Sequence, residues 1–318
     1  MKKHLLTTFV LLSSLVLHGQ AQSRKYVSQF SHLQNYFSPA LTGYEGSSLR
    51  GFVRNQWAGF EGAPKTYFLS AEMDIADFGE SENEAAAGKN AVGLAMLHDT
   101  YGAFTETGLI ASYASRIQVA KRASLRMGVG VNYNAIRLDG DHMTTEQAND
   151  ETLTQYLNGF ANTRILDFNL GLALTHPNYY ISYAVHNVNQ GAISSGDEIV
   201  GRNPREGILQ LGYRSALNND MAIIVNAMYN NREGLPANGE FNVKVLLKDL
   251  VWIGGGHRMS YANNFQFGIL LPAMRIGYVY ELPMTRSYLL PNTTHEFMAV
   301  FPLFRKNIRK SENEVLIW

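Results

Sequence analysis

Apolar and polar residues alternate along most of this chain with a period of two. Over residues 125–135, Leu, Met, Val, Val, Tyr and Ala alternate with Arg, Gly, Gly, Asn and Asn. A period of two places the two sets on opposite faces of a β-strand. The same alternation returns over 166–175 and 274–281. The pattern therefore predicts strands that each have one apolar and one polar face.

About fourteen such segments can be marked along the chain. Most have about the nine to eleven residues that a tilted membrane strand needs, and an even number suits a closed antiparallel bacterial barrel. We therefore predict an all-β fold, a transmembrane antiparallel outer-membrane β-barrel of about 14 strands. The predicted strands are 47–57, 65–75, 91–98, 107–118, 124–137, 164–175, 178–187, 207–215, 219–229, 239–247, 249–258, 264–270, 273–282 and 294–303.

The lengths of the connections alternate as well. Bacterial barrels have short periplasmic turns and longer extracellular loops, so a periplasmic N-terminus predicts long connections after odd strands. The long ones are 138–163, 188–206, 230–238 and 283–293, and the short ones are 119–123, 176–177, 216–218, 248 and 271–272. One acidic, Ala-rich insert at 76–90 is an exception on the short side, and we interpret it as a periplasmic excursion.

The first residues have the features of an export signal. A basic start, an apolar stretch over 5–17 and Gly19-Gln20-Ala21 predict a signal peptide over 1–21 that is cleaved near Ala21. We divide the rest into a periplasmic segment that leads into the barrel (22–46), the barrel (47–303) and a C-terminal tail (304–318). The prediction is an exported protein of the outer membrane, in contact with outer-membrane lipid.

Composition and motifs argue against several other classes. The absence of cysteine excludes disulfides, thiolate metal sites and a lipoprotein anchor. A formal net charge of zero gives no reason to expect nucleic acid as a partner. No G-x-S-x-G, H-E-x-x-H or P-loop motif is present, and His98, His257 and His295 lack catalytic or metal-ligand spacing. We expect no enzyme activity, no catalytic residue, no metal and no cofactor.

Charged residues on the faces assigned to the lumen carry both signs. A selective porin often lines its constriction with one sign of charge. A mixed set favours pairing across the lumen, and binding to a plug is the alternative. The residues assigned to the lumen are Arg50, Glu72, Asp74, Arg126, Asp167, Lys244, Arg275 and Glu281, together with Arg54 and Arg116.

The segment 54–70, RNQWAGFEGAPKTYFLS, resembles the first hairpin of the PorP/SprF family, outer-membrane proteins of the type IX secretion and gliding machinery of Bacteroidetes. Residues 35–43, 92–133, 275–278 and 294–298 resemble other parts of that family, so the resemblance covers nearly the whole chain. The tail departs from the family pattern, in which the chain commonly stops close to its final strand. Either the barrel-insertion signal lies at Trp318, or the tail is a periplasmic handle after the last strand. The matching hairpin positions are Gln56, Trp57, Gly59, Gly62, Ala63, Pro64, Lys65 and Thr66.

The resemblance implies a non-enzymatic component that docks, translocates or anchors a secreted surface protein through a C-terminal domain of the gliding-adhesin type. Ring lipoproteins of the periplasm are the other partners that it implies. With Arg54, the matching hairpin residues are candidates for seating a partner segment, and the alternative is a purely structural tight turn. The rival function is a passive channel for a small solute. The lumen distinguishes the two, because it should be open in a channel and occupied in a docking barrel.

Overall fold

The computed structural model describes residues 27–78, 89–142, 159–197, 199, 203–284, 293–304 and 317–318. The predicted signal peptide and its cleavage site, most of the 76–90 insert and most of the tail lie outside these residues. Fifteen strands follow one another as β1 (Ser48–Asn55), β2 (Lys65–Asp74), β3 (Asn90–Tyr101), β4 (Phe104–Gln118), β5 (Ser124–Asp139), β6 (Phe160–His176), β7 (Tyr179–His186), β8 (Ile193–Gly196), β9 (Glu206–Asn218), β10 (Met221–Arg232), β11 (Asn238–Leu247), β12 (Val251–Arg258), β13 (Ala262–Leu270), β14 (Arg275–Pro283) and β15 (Thr294–Pro302).

Fourteen of these strands form a closed antiparallel barrel. Each pairs with its neighbours in sequence, β7 pairs with β9, and the pairing of β1 with β15 closes the ring. The fourteen barrel strands correspond one to one with the fourteen predicted segments, and the predicted fold class is confirmed. The short strand β8 was not predicted, because it lies inside the connection 188–206 and pairs only with part of β6 among the described strands.

We call the end of the barrel that carries the turn 56–64 the upper end, and the end that carries the turn 119–123 the lower end. The strands differ in length, with 17 residues in β6 and 8 in β1. The upper connection between β3 and β4 has two residues, although the pattern of long connections after odd strands predicts a longer one. Gly102 there has φ +55°, a conformation that favours glycine in short hairpin turns.

The two faces of the wall have opposite chemistry. Along β6, Leu166, Phe168, Leu170, Leu172 and Leu174 point outward, and most of the outward apolar side chains around the barrel are exposed, as a lipid-facing band requires. The inward positions are largely polar or glycine. Among the described residues, no helix is long and apolar enough to cross a membrane.

A segment before β1 fills the lumen, and we call residues 27–47 the plug. It contains three short helical turns, Phe30–His32, Gln34–Phe37 and Pro39–Leu41. Two further 3₁₀ turns lie elsewhere, at Ile75–Phe78 and Gly140–His142. The described part of the expected periplasmic segment thus lies inside the barrel. Its apolar side chains form the core with inward residues of the wall, and these plug residues are Val27, Phe30, Leu33, Phe37, Ala40 and Leu41.

Candidate functional site

Glycines on the inward face let the plug approach the barrel wall closely. A Cβ atom on Gly171 would lie 2.9 Å from the Ala40 nitrogen, and one on Gly128 would overlap the backbone of Pro39 and Ala40. Arg126, near the lower end of β5, donates from Nε to the Ala40 carbonyl at 2.9 Å. Its Nη2 also donates to the Thr42 carbonyl at 2.6 Å. The middle of the plug is therefore seated on β5 and β6 through backbone contacts.

Five charged residues surround the start of the plug, and we call Arg54, Glu240, Arg258, Glu281 and Glu296 the upper cluster. Arg258 pairs with Glu240 at 2.9 Å and with Glu281 at 3.0 Å. Arg54 pairs with Glu281 at 3.0 Å and also with Glu296. Two arginines thus hold three carboxylates that come from three other strands.

The upper cluster also binds the plug backbone. The amide nitrogens of Ser28 and Gln29 donate to the two carboxylate oxygens of Glu296, at 2.9 and 3.1 Å. The Ser28 hydroxyl donates to Glu281, and Arg258 donates to that hydroxyl at 2.9 Å. Charged acceptors make stronger hydrogen bonds than neutral ones. The cluster therefore fixes the start of the plug as well as the wall.

A second group, which we call the lower cluster, consists of Glu45, Arg50, Glu72, Lys244 and Arg275. Arg50 pairs with Glu72 at 2.8 Å and with Glu45 at 3.4 Å, and Arg275 pairs with Glu45 at 2.9 Å. Glu45 belongs to the plug. Burial alone would raise the pKa of its carboxyl, but Arg275 and Arg50 outweigh burial and hold that pKa below its usual value. The Glu45 carboxylate thus ties the plug to two strands.

The last two residues of the chain also lie in the lumen. Lys244 Nζ donates to the Trp318 carbonyl at 2.6 Å, and Gln34 Nε2 donates to the Ile317 carbonyl at 2.7 Å. The Trp318 ring is stacked on His32 with a centroid distance of 5.1 Å and lies 4.8 Å from the Trp252 ring. Residues 305–316, on which the two interpretations of the tail depended, lie outside the described residues.

His32 is the plug residue against which Trp318 stacks. Burial, followed by the positive charges of Lys244, Arg275 and Arg50, lowers the pKa of its imidazole well below the usual value. The ring is therefore neutral at physiological pH. A neutral ring avoids adding a positive charge beside the two arginines, Arg50 and Arg275.

Nine of the ten residues assigned to the lumen by sequence are buried, with exposed fractions between 0% and 6%. Seven of these nine lie in one of the two clusters or hold the plug backbone. Asp74 instead accepts a hydrogen bond from the Ala76 nitrogen at 3.0 Å, and Asp167 binds the connection between β7 and β9. Arg116, also assigned to the lumen, is only partly buried near the lower end. The nine buried residues are Arg50, Arg54, Glu72, Asp74, Arg126, Asp167, Lys244, Arg275 and Glu281.

Sequence reasoning missed five further residues of these clusters and their surroundings. Glu240, Arg258 and Glu296 occupy inward positions of predicted strands, so the period of two could have found them. Glu45 and Trp318 lie outside any periodic segment and gave no such signal. Inward glycines such as Gly128 and Gly171 were an indirect sign that something packs against the wall.

The nine hairpin residues proposed for partner binding fall into two groups in the structure. Arg54 is buried in the upper cluster, and the Thr66 hydroxyl donates to Asp99 at 2.6 Å. The Gln56 nitrogen donates to the Pro64 carbonyl at 3.0 Å and closes the turn. These residues hold the wall and the turn together.

The rest of the hairpin forms its tip. Gly59 and Gly62 have φ angles of +94° and +71°, which side chains disfavour, and Trp57 also has a positive φ of 50°. Ala63 is buried, whereas Lys65 and the neighbouring Phe60 are exposed. Within the hairpin, only this tip offers side chains to a partner. The nine positions are Arg54, Gln56, Trp57, Gly59, Gly62, Ala63, Pro64, Lys65 and Thr66.

The described residues give no support for a metal or hydrolytic site. Within them, no group of three or more His, Asp or Glu side chains could hold a metal ion. The outward-facing histidines have ordinary neutral partners: His98 with Thr107, His257 with Asn263 and His295 with Tyr278, at 2.7–2.9 Å. A cavity beside Tyr36 has a volume of about 30 Å³, which is room for about one water molecule.

Comparisons with known proteins bear on this arrangement. The family model described as type IX secretion system membrane protein PorP/SprF matches residues 19–301. No curated protein sequence matches the chain.

Solved outer-membrane proteins show similarities of low sequence identity. The outer membrane protein Omp33 of Acinetobacter baumannii is 10% identical, with 81% of this chain and 97% of that chain covered and a TM-score of 0.47. The toluene transporter TodX of Pseudomonas putida is 9% identical, with 87% and 93% covered and a TM-score of 0.47. In this chain the barrel is closed by the pairing of its own first and last strands, β1 and β15.

Proposed function

The chain belongs to the PorP/SprF family of type IX secretion system membrane proteins, and on that premise we propose that it docks, translocates or anchors a secreted surface protein at the outer membrane. The client is held through its C-terminal domain, of the gliding-adhesin type. The role is non-enzymatic and needs no cofactor. Ring lipoproteins of the periplasm are the second class of partner.

The filled lumen is the observation that carries this proposal. A passive channel needs a continuous water path, and pore-lining side chains that face it. Here the plug and Trp318 occupy the lumen, and charged wall residues such as Arg50 and Glu296 bind the plug or each other. A barrel filled in this way is suited to presenting a rigid surface to a protein. Its upper connections and the tip of the 56–64 turn are the surfaces available for that purpose.

A passive channel for a small solute is the competing function, and it would require displacement of the plug. The two functions differ in a planar bilayer. We expect the purified full-length barrel to be silent or nearly so at neutral pH. Steady conductance of the unmodified protein would favour the channel and would contradict the docking proposal.

The direct test is recovery of partners from the native outer membrane. The tagged full-length barrel would be purified in mild detergent, and co-purifying proteins would be quantified by mass spectrometry. A large surface protein at near one-to-one ratio is the expected result, and its recovery should fall when its C-terminal domain is deleted. Recovery of ring lipoproteins instead would place the chain in the core secretion assembly. A barrel recovered alone would overturn the proposal.

A further inference from the structure

The strand β6 extends beyond the lipid-facing band at its upper end. Its outward side chains are apolar from Leu174 up to Leu166, and the next two outward residues are Arg164 and Asn162. Charged side chains on the lipid face are unfavourable in a barrel, so the band ends near Leu166. β8 pairs with β6 over residues 163–166. It therefore lies at and above the edge of the band, within reach of proteins outside the membrane.

The connection that carries β8 is held by a hydrogen-bond network. Asp167 accepts from the Gly191 nitrogen at 2.8 Å and from Asn203 Nδ2 at 2.6 Å. Asn189 binds β6 twice, through the Leu166 carbonyl at 2.8 Å and the Phe168 nitrogen at 2.9 Å. Because both ends of the connection are fixed to β6, the position of β8 is set before any partner arrives.

One edge of β8 has no pairing strand among the residues that the structure describes, and we call it the open edge. The Asp197 nitrogen donates to the Asn162 carbonyl of β6 at 2.8 Å, so residues 193, 195 and 197 direct their backbone groups toward β6. Successive residues of a strand direct these groups to opposite sides, so those of Ser194 and Gly196 point away from β6. Among the described strands none pairs with that side, and all four residues of β8 are exposed.

The side chains of β8 do not protect this edge. Proteins block strand edges with lysine, proline, bulges or very short strands, and Ile-Ser-Ser-Gly uses only shortness. The serines and the glycine leave room for a neighbouring chain. Ile193, which is 50% exposed, lies on the outward face beside Leu166 and provides an apolar contact. The chemistry fits an extended segment that has an apolar side chain on its outward face.

We propose that the open edge of β8 binds an extended β-strand of the client, which adds to the β6–β8 sheet as a further strand. The backbone groups of Ser194 and Gly196 supply the hydrogen bonds, and Ile193 supplies the side-chain contact. This inference rests on the proposed function, since it names the surface on which the client is held.

The test uses the full chain in its native outer membrane. A photo-cross-linking residue at position 193 should attach to one contiguous stretch of the client, and one at Phe241, which is outward-facing on another strand, should not. Peptide mapping would show whether that stretch alternates apolar and polar residues. Cross-links from position 193 only to residues 143–158 of the same chain would mean that the chain covers its own edge, and would overturn the inference.

A pair of substitutions tests the backbone pairing itself. Ser194→Pro removes a donor on the open edge but leaves the hydrogen bonds to β6, because proline is tolerated in an edge strand where its nitrogen faces outward. We expect about tenfold less client recovered with Ser194→Pro, since a lost hydrogen bond and the bulk of the ring act together. Ser194→Thr keeps the donor and should match the unmodified protein.

The outcomes separate the two proposals. If the unmodified barrel recovers no client, the proposed function fails. If it recovers the client and Ser194→Pro does so equally well, the function stands and the β8 edge is excluded. A folded-barrel gel shift would verify that both variants assemble.

Discussion

Lys244 Nζ donates to the backbone carbonyl of Trp318 at 2.6 Å, and the ammonium group lies 5.1 Å from the centre of the indole ring. This contact joins the end of the described chain to the middle of β11. Trp318 packs at the same time on His32 of the plug and on Trp252 of β12. The filling of the lumen is therefore made from residues that lie far apart in sequence.

Removal of the Trp318 ring should destabilise the barrel. The side chain is fully buried, and truncation of a buried tryptophan typically costs about 3–5 kcal/mol through lost burial and the cavity left behind. We expect Trp318→Ala to lower the free energy of unfolding by about that amount, measured by urea titration of the barrel in lipid vesicles. Phe60→Ala, at the exposed tip of the 56–64 turn, is the control and should change it much less. Equal losses in the two variants would mean that Trp318 does not support the lumen.

Seating of the plug should depend on the absence of a side chain at Gly128. A Cβ there would overlap the backbone of Pro39 and Ala40, so Gly128→Val should displace the middle of the plug. The chain has no cysteine, so Ser38→Cys gives a single label site. We expect maleimide labelling of Cys at position 38 to be slow in the otherwise unmodified barrel and at least about tenfold faster with Gly128→Val.

The matched control for this experiment is Gly51→Val. A Cβ on Gly51 meets nothing within 4 Å, so labelling at position 38 should stay slow. Fast labelling without any substitution at Gly128 would show that the plug leaves the lumen readily in solution.

Acid should loosen the plug through Glu45. The pKa of this carboxyl is below its usual value of 4.5 when it is held between Arg275 and Arg50, so the seated plug favours the ionised form. A depressed pKa contributes stability above about pH 4.5, and that contribution is lost as the pH falls through the lowered pKa. We expect the barrel to be silent in a planar bilayer at pH 7 and to show openings when the pH is stepped well below 4.5.

The variant Glu45→Gln identifies the responsible group. Without the carboxylate, Arg50 keeps Glu72 as a partner and Arg275 loses its ion pair, so openings should occur already at pH 7. The acid-dependent increase should then be smaller than in the unmodified protein. An unchanged acid response in Glu45→Gln would assign the effect to another carboxylate.

The barrel could be predicted from sequence because residues that face lipid alternate with residues that face the lumen along each strand. In β6, the leucines at 166, 170, 172 and 174 face lipid while Asp167, Asn169 and Gly171 face the plug. The contrast between the two sets is visible in the sequence of the strand. Strand ends were less visible. Above Leu166 the outward residues Arg164 and Asn162 are polar while the inward residues Ile165 and Ala161 are apolar and buried. The lipid-facing pattern therefore stops there, and the strand is predicted from 164 instead of 160.

The plug and β8 could not be predicted for a different reason. The plug consists of helical turns of three or four residues, which are too short to show a period. Val27 and Phe37 pack inside a barrel whose lumen was expected to be polar, so their burial depends on tertiary contacts alone. β8 has four exposed residues, and its place is set by Asp167 and Asn203 rather than by its own pattern.

Substitutions in the 56–64 turn and at its flanks should separate structural from binding roles. Arg54 is fully buried between Glu281 and Glu296, and loss of one partner of a buried ion pair typically costs about 3–5 kcal/mol. We expect Arg54→Gln to lower the free energy of unfolding by about that amount. Phe60 and Lys65 are exposed, so Phe60→Ser and Lys65→Glu should change stability by less than about 0.5 kcal/mol.

If the tip of this turn contacts the partner, the tip substitutions that hardly change stability should reduce the recovery of client. Phe60→Ser and Lys65→Glu should each reduce the amount of client that co-purifies with a fully folded barrel, because one removes an apolar contact and the other reverses a charge. Lys121→Glu, at the lower end of the barrel, is the control for a charge reversal and should leave recovery unchanged. Normal recovery with both tip substitutions would restrict the nine motif residues to a structural role, and the docking surface would then lie elsewhere on the upper rim.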